Sequence, residues 1–340
     1  MRNKFILSLF FALLVFFNPA QISIDSLEQS TENLTKDTVG LIYLERLSEK
    51  IKSQDQAASL WLAEKAVEFA RAINKPFSIA ESGFNAGVRN TSAGNYVKAS
   101  LYLVEAEKIA EANDLQPTLM KVFNSLGNLY AMQQQQGTAI MYYKKAAKIC
   151  EKLNRKSYEA VIVGNIGNIY YFKTEQDKRY LDSALMCFQK ALAIQTIEKD
   201  TSRMIGMLNN IGLVYCDKED YPAALTALDT ASKLIELSHD RLDLLYNLQY
   251  RGRIEFEKEN FDKAVEFYNK SLKISVEMNE VQFISENHFA LSRAYEGLKD
   301  FENAYFHFKT YKELSDTLLN SENFEKIAGM QNKYEQEKEQ

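Results

Sequence analysis

Leu126-Gly127-Asn128-Leu129-Tyr130 returns forty residues later as Ile166-Gly167-Asn168-Ile169-Tyr170. That recurrence decides the fold. The small residue at its centre recurs at Gly87, Gly127, Gly167, Gly212 and Gly252 and then as Ser292, in steps of 40, 40, 45, 40 and 40 residues. Twelve residues after it stands an alanine, at Ala99, Ala139, Ala224, Ala264 and Ala304; in the one long unit a five-residue insertion delays it to Ala184. Self-similarity at such a period predicts a solenoid, in which each unit is one hairpin that buries its apolar face only by stacking on its neighbours.

The alanine opens a triplet on the second helix of each unit. The triplets are Ala99, Leu103 and Ala106; Ala139, Tyr143 and Ala146; Ala184, Phe188 and Ala191; Ala224, Leu228 and Ala231; Ala264, Tyr268 and Ser271; and Ala304, Phe308 and Tyr311. Spacings of four and three put each triplet on one helical face. The small members let helices approach closely, with the central glycine expected against the alanine, and the large member is expected to fill the groove toward the next unit. Turns within pairs carry an aromatic (Tyr96, Tyr221, Phe261, Phe301) behind a polar residue able to cap a helix (Asn95, Asp220, Asn260, Asp300). Turns between pairs carry Asn74, Asn113, Asn154 and Asn279, a residue type that tolerates the left-handed backbone ending a helix. With 13 Gly and 4 Pro in 340 residues, long helices joined by short turns are favoured over a turn-rich all-β fold. A diverged first pair is expected from Val39, Leu41, Leu44, Leu47 and Ile51, followed by Ala58, Leu62, Ala66, Phe69 and Ala70.

These residues resemble the tetratricopeptide repeat, whose helix pairs carry Trp, Leu-Gly, Tyr, Ala, Phe, Ala and Pro at set spacings. Six units keep register from about residue 80 to 312. The period is 40 rather than the family's 34, so each helix is about three residues, or roughly 4.5 Å, longer. The closing Pro is mostly lost, although Pro76 and Pro117 lie near unit junctions. The resemblance implies an all-α fold, a right-handed α-solenoid of antiparallel helix pairs over residues 36–316 with about seven units. Long-helix repeats of this kind are similar to those of extracytoplasmic and regulatory bacterial proteins, including peptide-sensing regulators.

On the first helix of each pair, residues four and one before the glycine and three after it form an apolar face, such as Phe123, Leu126 and Tyr130. The series Tyr130, Tyr170, Tyr215 and Tyr295 belongs to that core. Another sector is polar: Asn85, Asn124, Asn128, Asn165, Asn168, Asn209, Asn210 and Gln249, joined by Arg253 and Arg293. In the resembled family this sector lines the inner groove and grips the main chain of an extended peptide. A carboxamide both donates and accepts, so it can pair with backbone whatever the peptide sequence. The arginines could meet a carboxylate. Five or six hydrogen bonds at about 1 kcal/mol each fall short of the roughly 8.2 kcal/mol of micromolar binding, so side-chain pockets walled by Tyr171 and Phe256 would supply the rest. The competing reading is that the asparagines bond to neighbouring helices or face water, and that Arg253 and Arg293 pair within the chain.

The ends differ from the array. Arg2 and Lys4 precede an apolar run from Phe5 to Phe17 and then Asn18-Pro19-Ala20, which predicts a signal peptide over residues 1–20. Residues 21–35 are expected to be a flexible tether. Export, most simply to the periplasm, follows, with an uncleaved membrane tether as the alternative; once the segment is cleaved no direct membrane insertion is expected. Residues 317–340 predict a polar capping or linker helix carrying Leu318, Phe324, Ile327 and Tyr334. The stretch from Lys326 to Glu335 resembles the periplasmic repeat regions of membrane-bound sensor kinases, which implies a membrane-bound signalling partner as a second reading beside a peptide-binding scaffold.

Chemistry is harder to place. With 41 Lys and Arg against 46 Asp and Glu, and no basic stripe, nucleic acid is not an expected partner. Cys150, Cys187 and Cys216 sit in separate expected helices and read as core fillers. Neither CxxC nor HExxH occurs, and no catalytic constellation can be built from His239, His288 and His307. The sequence reads as a non-enzymatic protein without metal or cofactor.

Overall fold

A computed structural model describes residues 23–316 apart from 53 and 176, and all its regular elements are helical. A short helix α1 (Ile24–Thr31) precedes the pairs α2 (Thr38–Ile51) with α3 (Gln56–Ile73) and α4 (Pro76–Ser92) with α5 (Tyr96–Ala112). The chain continues through α6 (Gln116–Met132) and α7 (Gln136–Lys152), α8 (Lys156–Phe172) and α9 (Tyr180–Glu198), and α10 (Thr201–Asp217) and α11 (Tyr221–Ser238). It closes with α12 (Arg241–Glu257) and α13 (Phe261–Met278), α14 (Val281–Gly297), and α15 over residues 301–316. The chain forms two compact units, Met1–Leu129 and Tyr130–Gln340. Each is an all-α solenoid segment of packed helix pairs.

In the first unit α2 packs on α3, α3 on α4 and α4 on α5. Residues 21–35, expected as a tether, instead contain α1, whose buried Leu27 joins Leu41, Leu44 and Phe69 in one apolar cluster. In the second unit α8 packs on α9, α10 on α11 and α12 on α13, and each pair also meets the next.

The triplets explain the close packing. Ala99 in the first unit, and Ala139, Ala184, Ala224 and Ala264 in the second, have no exposed surface, and the large residues Leu103, Tyr143, Phe188, Leu228 and Tyr268 are buried. One expectation is corrected. The central glycine faces the large residue of its own unit rather than the alanine side chain, while that large residue also packs on the next unit, as Leu228 does with Ile254 and Tyr268 with Leu291 and Ala294. A Cβ built on Gly87 would meet Leu103 Cγ at 2.5 Å, on Gly167 Phe188 Cε1 at 2.7 Å, on Gly212 Leu228 Cδ2 at 2.8 Å and on Gly252 Tyr268 Cε1 at 2.6 Å. The alanine meets the same glycine only through its backbone: the Cβ would lie 3.4 Å from Ala99 O or Ala224 O. Where Ser292 replaces the glycine, Phe308 is exposed.

Most helices of the array are 17 residues long and separated by three. Most turns hold one residue of left-handed backbone: Asn74, Gly94 and Asp114 in the first unit, then Gln134, Asn154, Lys199, Glu219, His239, Glu259, Asn279 and Lys299. The expectation for Asn113 is corrected, since its φ is −115° and Asp114 takes the left-handed place at 51°. Of the expected caps, Asp220 accepts from the Ala223 N–H at 3.1 Å and Asp300 from the Asn303 N–H at 3.2 Å. Asn95 and Asn260 make no side-chain cap, and Asn260 instead donates to Glu255 at 2.8 Å.

Among the described residues no helix is long and apolar enough to cross a membrane. The expected signal peptide and the expected C-terminal helix both lie outside the described residues.

Candidate functional site

In the second unit the first helices of successive pairs present a continuous line of polar and aromatic side chains. Asn210 on α10 donates to Asn168 Oδ1 on α8 at 3.3 Å. Further along, three helices meet at one carboxylate: Tyr171 Oη of α8 donates to Asp217 Oδ2 at 2.6 Å, and Arg253 Nη2 of α12 donates to Asp217 Oδ1 at 2.5 Å. The Arg293 guanidinium of α14 sits 4.7 Å from the centre of the Phe256 ring on α12, within cation–π range. A repeat fold produces this line because one register position recurs: Arg253 and Arg293 each follow the small central residue and lean on the C-terminal turn of the preceding first helix.

The electrostatics keep the line polar but nearly neutral. Burial, then the hydrogen bond to Asp217 and its charge, pushes the Tyr171 phenol up, so its proton stays in place as a donor. Both Asp217 oxygens are engaged, and only Arg253 Nη2 is taken up by that pair. The Arg253 side chain is 42% exposed, which leaves other N–H groups able to reach a carbonyl or carboxylate. Arg293 is exposed and holds no ion pair among the described residues.

The expected asparagine row divides. Asn168, Asn165, Asn210 and Gln249 are half-buried on the second unit. Asn209 is a correction: it is 2% exposed, donates to the Asp243 backbone carbonyl at 3.1 Å and accepts from Asn247 at 3.0 Å, so it serves the interior. On the first unit Asn124 is also buried, a second correction, while Asn128 and Asn85 are half-buried. Asn85 and Ser82 hydrogen-bond to the Glu45 carboxyl, which burial pushes up against their effect. The pairing of Arg253 within the chain is realised; Arg293 takes a ring instead of a carboxylate.

Three features escaped the sequence. Asp217 stands five residues after Gly212, one turn beyond the asparagine positions but within their angular sector, and its separation of 36 residues from Arg253 is one period less one helical turn. The same separation joins Lys218 to Asp182 and Arg241 to Glu277, so the spacing itself was a signal. Asn247 is 1% exposed and bridges Asn209, the Leu228 carbonyl at 3.0 Å and Arg251, whose Nε donates to it at 2.8 Å. Thirdly, the inserted turn after α8 borders an open cleft of about 430 Å³ beside Asp217 and Arg253. The cysteines behave as fillers: Cys150 and Cys216 are buried, and burial pushes both thiols up to about 11. No group of three or more potential metal ligands occurs among the described residues.

Residues 203–275 match the family model of the tetratricopeptide repeat. The RNA polymerase-associated protein CTR9 of Caenorhabditis elegans is 26% identical over 184 residues, which is 52% of this chain but only 14% of that much longer protein. Among solved structures, a Rap protein complexed with competence and sporulation factor superposes with a TM-score of 0.66 at 14% identity, over 87% of this chain and 80% of the other. The Rap conjugation gene regulator of plasmid pLS20, in complex with the Phr* peptide, gives 0.61 at 13% identity, over 84% and 80%. At these identities the likeness is one of fold.

Proposed function

We propose, for a chain that carries tetratricopeptide repeats, that it is a non-enzymatic scaffold that binds an extended peptide or protein segment along the first helices of its second unit. The line from Asn168 and Asn210 through Tyr171, Asp217 and Arg253 to Phe256 and Arg293 carries this reading, because it alternates groups that bond to main chain with aromatic faces that hold side chains. Two solved relatives of the fold, crystallised with a peptide or a competence and sporulation factor, support it. Of the asparagines, Asn165, Asn168 and Asn210 remain in the site, with Gln249 beside them; Asn209 belongs to the interior.

Arg293 is the residue to remove first, since it is exposed and packs against the Phe256 ring. A displayed peptide library selected on the whole chain should yield binders that lose about 10- to 100-fold in affinity on Arg293→Ala, the range of a charge-assisted hydrogen bond, with far-UV circular dichroism unchanged. A library that enriches nothing, or binders indifferent to both Arg293→Ala and Phe256→Ala, would overturn the reading. Export is part of the same proposal, carried by the apolar run from Phe5 to Phe17. The mass of the chain recovered from its native envelope should lack residues 1–20; an intact N-terminus would favour a tethered form.

A further inference from the structure

The turn inside the pair α8 and α9 breaks the three-residue rule, with residues 173–179 between the helices. Its first part is a 3-10 turn, Lys173–Glu175, closed by Thr174 Oγ1 donating to the Tyr171 carbonyl at 2.7 Å. This turn builds the wall of the cleft. The apolar lining comes from Phe172, which is 61% exposed, and the buried Leu181. The charged lining is balanced, with Arg253 bonded to Asp217 and with one further residue of each sign, Lys178 and Glu175.

We propose that this cleft receives one neutral aromatic side chain of the bound peptide, an assignment that rests on the peptide-binding reading. Its volume is at the low end of the roughly 300–1,000 Å³ typical of ligand pockets, so it suits a side chain rather than a folded segment. An anion entering it would face Asp217 and Glu175, and a cation would face Arg253 and Lys178. A ring meets neither penalty. It covers the exposed Phe172 face, and it offers a π surface to the Arg253 guanidinium, whose charge is only partly taken up by Asp217. The inserted turn would therefore set which peptides the scaffold selects, while the asparagines hold any main chain.

The test uses small probes on the whole chain. N-acetyl-tryptophanamide should show saturation transfer by NMR at millimolar concentration, and Phe172→Ala should weaken it at least about fivefold; N-acetyl-aspartamide and N-acetyl-lysinamide should show none. Absence of tryptophanamide binding, equal binding to the Phe172→Ala chain, or preference for either charged probe would overturn the assignment. Phe172 is largely exposed, so its loss spares the core, and unchanged circular dichroism checks this. The outcome separates the two proposals: probe binding without any selected peptide sinks the groove and keeps the cleft, and selected peptides that show no aromatic preference sink the cleft alone.

Discussion

Gly252→Ala adds one methyl group where a neighbouring ring already stands. The new Cβ would lie 2.6 Å from Cε1, 2.8 Å from Cδ1 and 3.0 Å from Cζ of Tyr268. Tyr268 is buried and packs with Ala264, Leu291 and Ala294, so its ring has no free direction in which to retreat. Overpacking of this kind costs about 1–3 kcal/mol, and alanine returns about 1 kcal/mol through its better helix propensity. The net expectation is a loss of about 0–2 kcal/mol. Gly206→Ala is the matched control, because its Cβ would have only Asp243 Oδ1 nearby, at 4.0 Å. Propensity then acts alone, and a gain of about 0.5–1 kcal/mol is expected. Native-state hydrogen exchange, read separately over α12 with α13 and over α10, is the suitable assay, since stacked repeats have local stabilities. The double variant Gly252→Ala, Tyr268→Ala should lose less than the two single variants added together. Equal gains from Gly252→Ala and Gly206→Ala would refute the idea that the glycines are kept small for the large residue of the partner helix.

The remaining predictions concern turns, titration and the buried amide. Glu219→Gly and Glu259→Gly, at φ of 61° and 59°, should each stabilise by up to about 1 kcal/mol by relieving a left-handed side-chain clash; denaturant midpoints that fall instead would show that these carboxylates have another task. Burial, then the charge of Asp240, pushes the Asp243 carboxyl up to about 6. The folded state therefore holds a proton that the unfolded chain releases near pH 3.8, so this contribution is full below pH 3.8 and fades as pH rises through about 6. Asp243→Asn should flatten that slope and raise the melting temperature above pH 7; an unchanged difference between pH 4 and pH 8 would count against it. Asn247→Ala leaves the Leu228 carbonyl and the Asn209 oxygen without their donor in the interior, and a loss of about 2–3 kcal/mol by urea denaturation is expected.

The helix pairs and their register were legible in the sequence because small residues have no substitute where helices approach closely: each of the alanines from Ala99 to Ala264 is sealed from solvent. The identity of the facing residue was not legible. Periodicity places Gly252, Ala264 and Tyr268 on contact faces, but only the helix separation decides which of the two meets the glycine. Left-handed positions were read correctly where asparagine marked them, at Asn74, Asn154 and Asn279, and missed where Lys199, Glu219, Glu259 and Lys299 carry no such mark. For the site, residue type revealed a polar face but not its depth. Asn209 and Asn210 are adjacent in sequence, yet one is sealed by Asn247 and the other reaches Asn168 at the half-open surface. Asp217 went unseen because its partners come from two different pairs and its offset of 36 residues from Arg253 differs from the repeat period.

The left-handed residues at 199, 219, 239, 259, 279 and 299 beat a steady metre through the later part of the second unit. A forty-residue stanza can be spliced in or out between such beats without turning any following side chain from the interior to the surface, whereas a cut of another length inside a helix rotates the rest of that helix. The seven-residue turn at 173–179 shows where the chain could grow without breaking time. Length added at the tip of a hairpin leaves the stacking rhythm intact, so that is where new contacts could be tried at least risk to the fold.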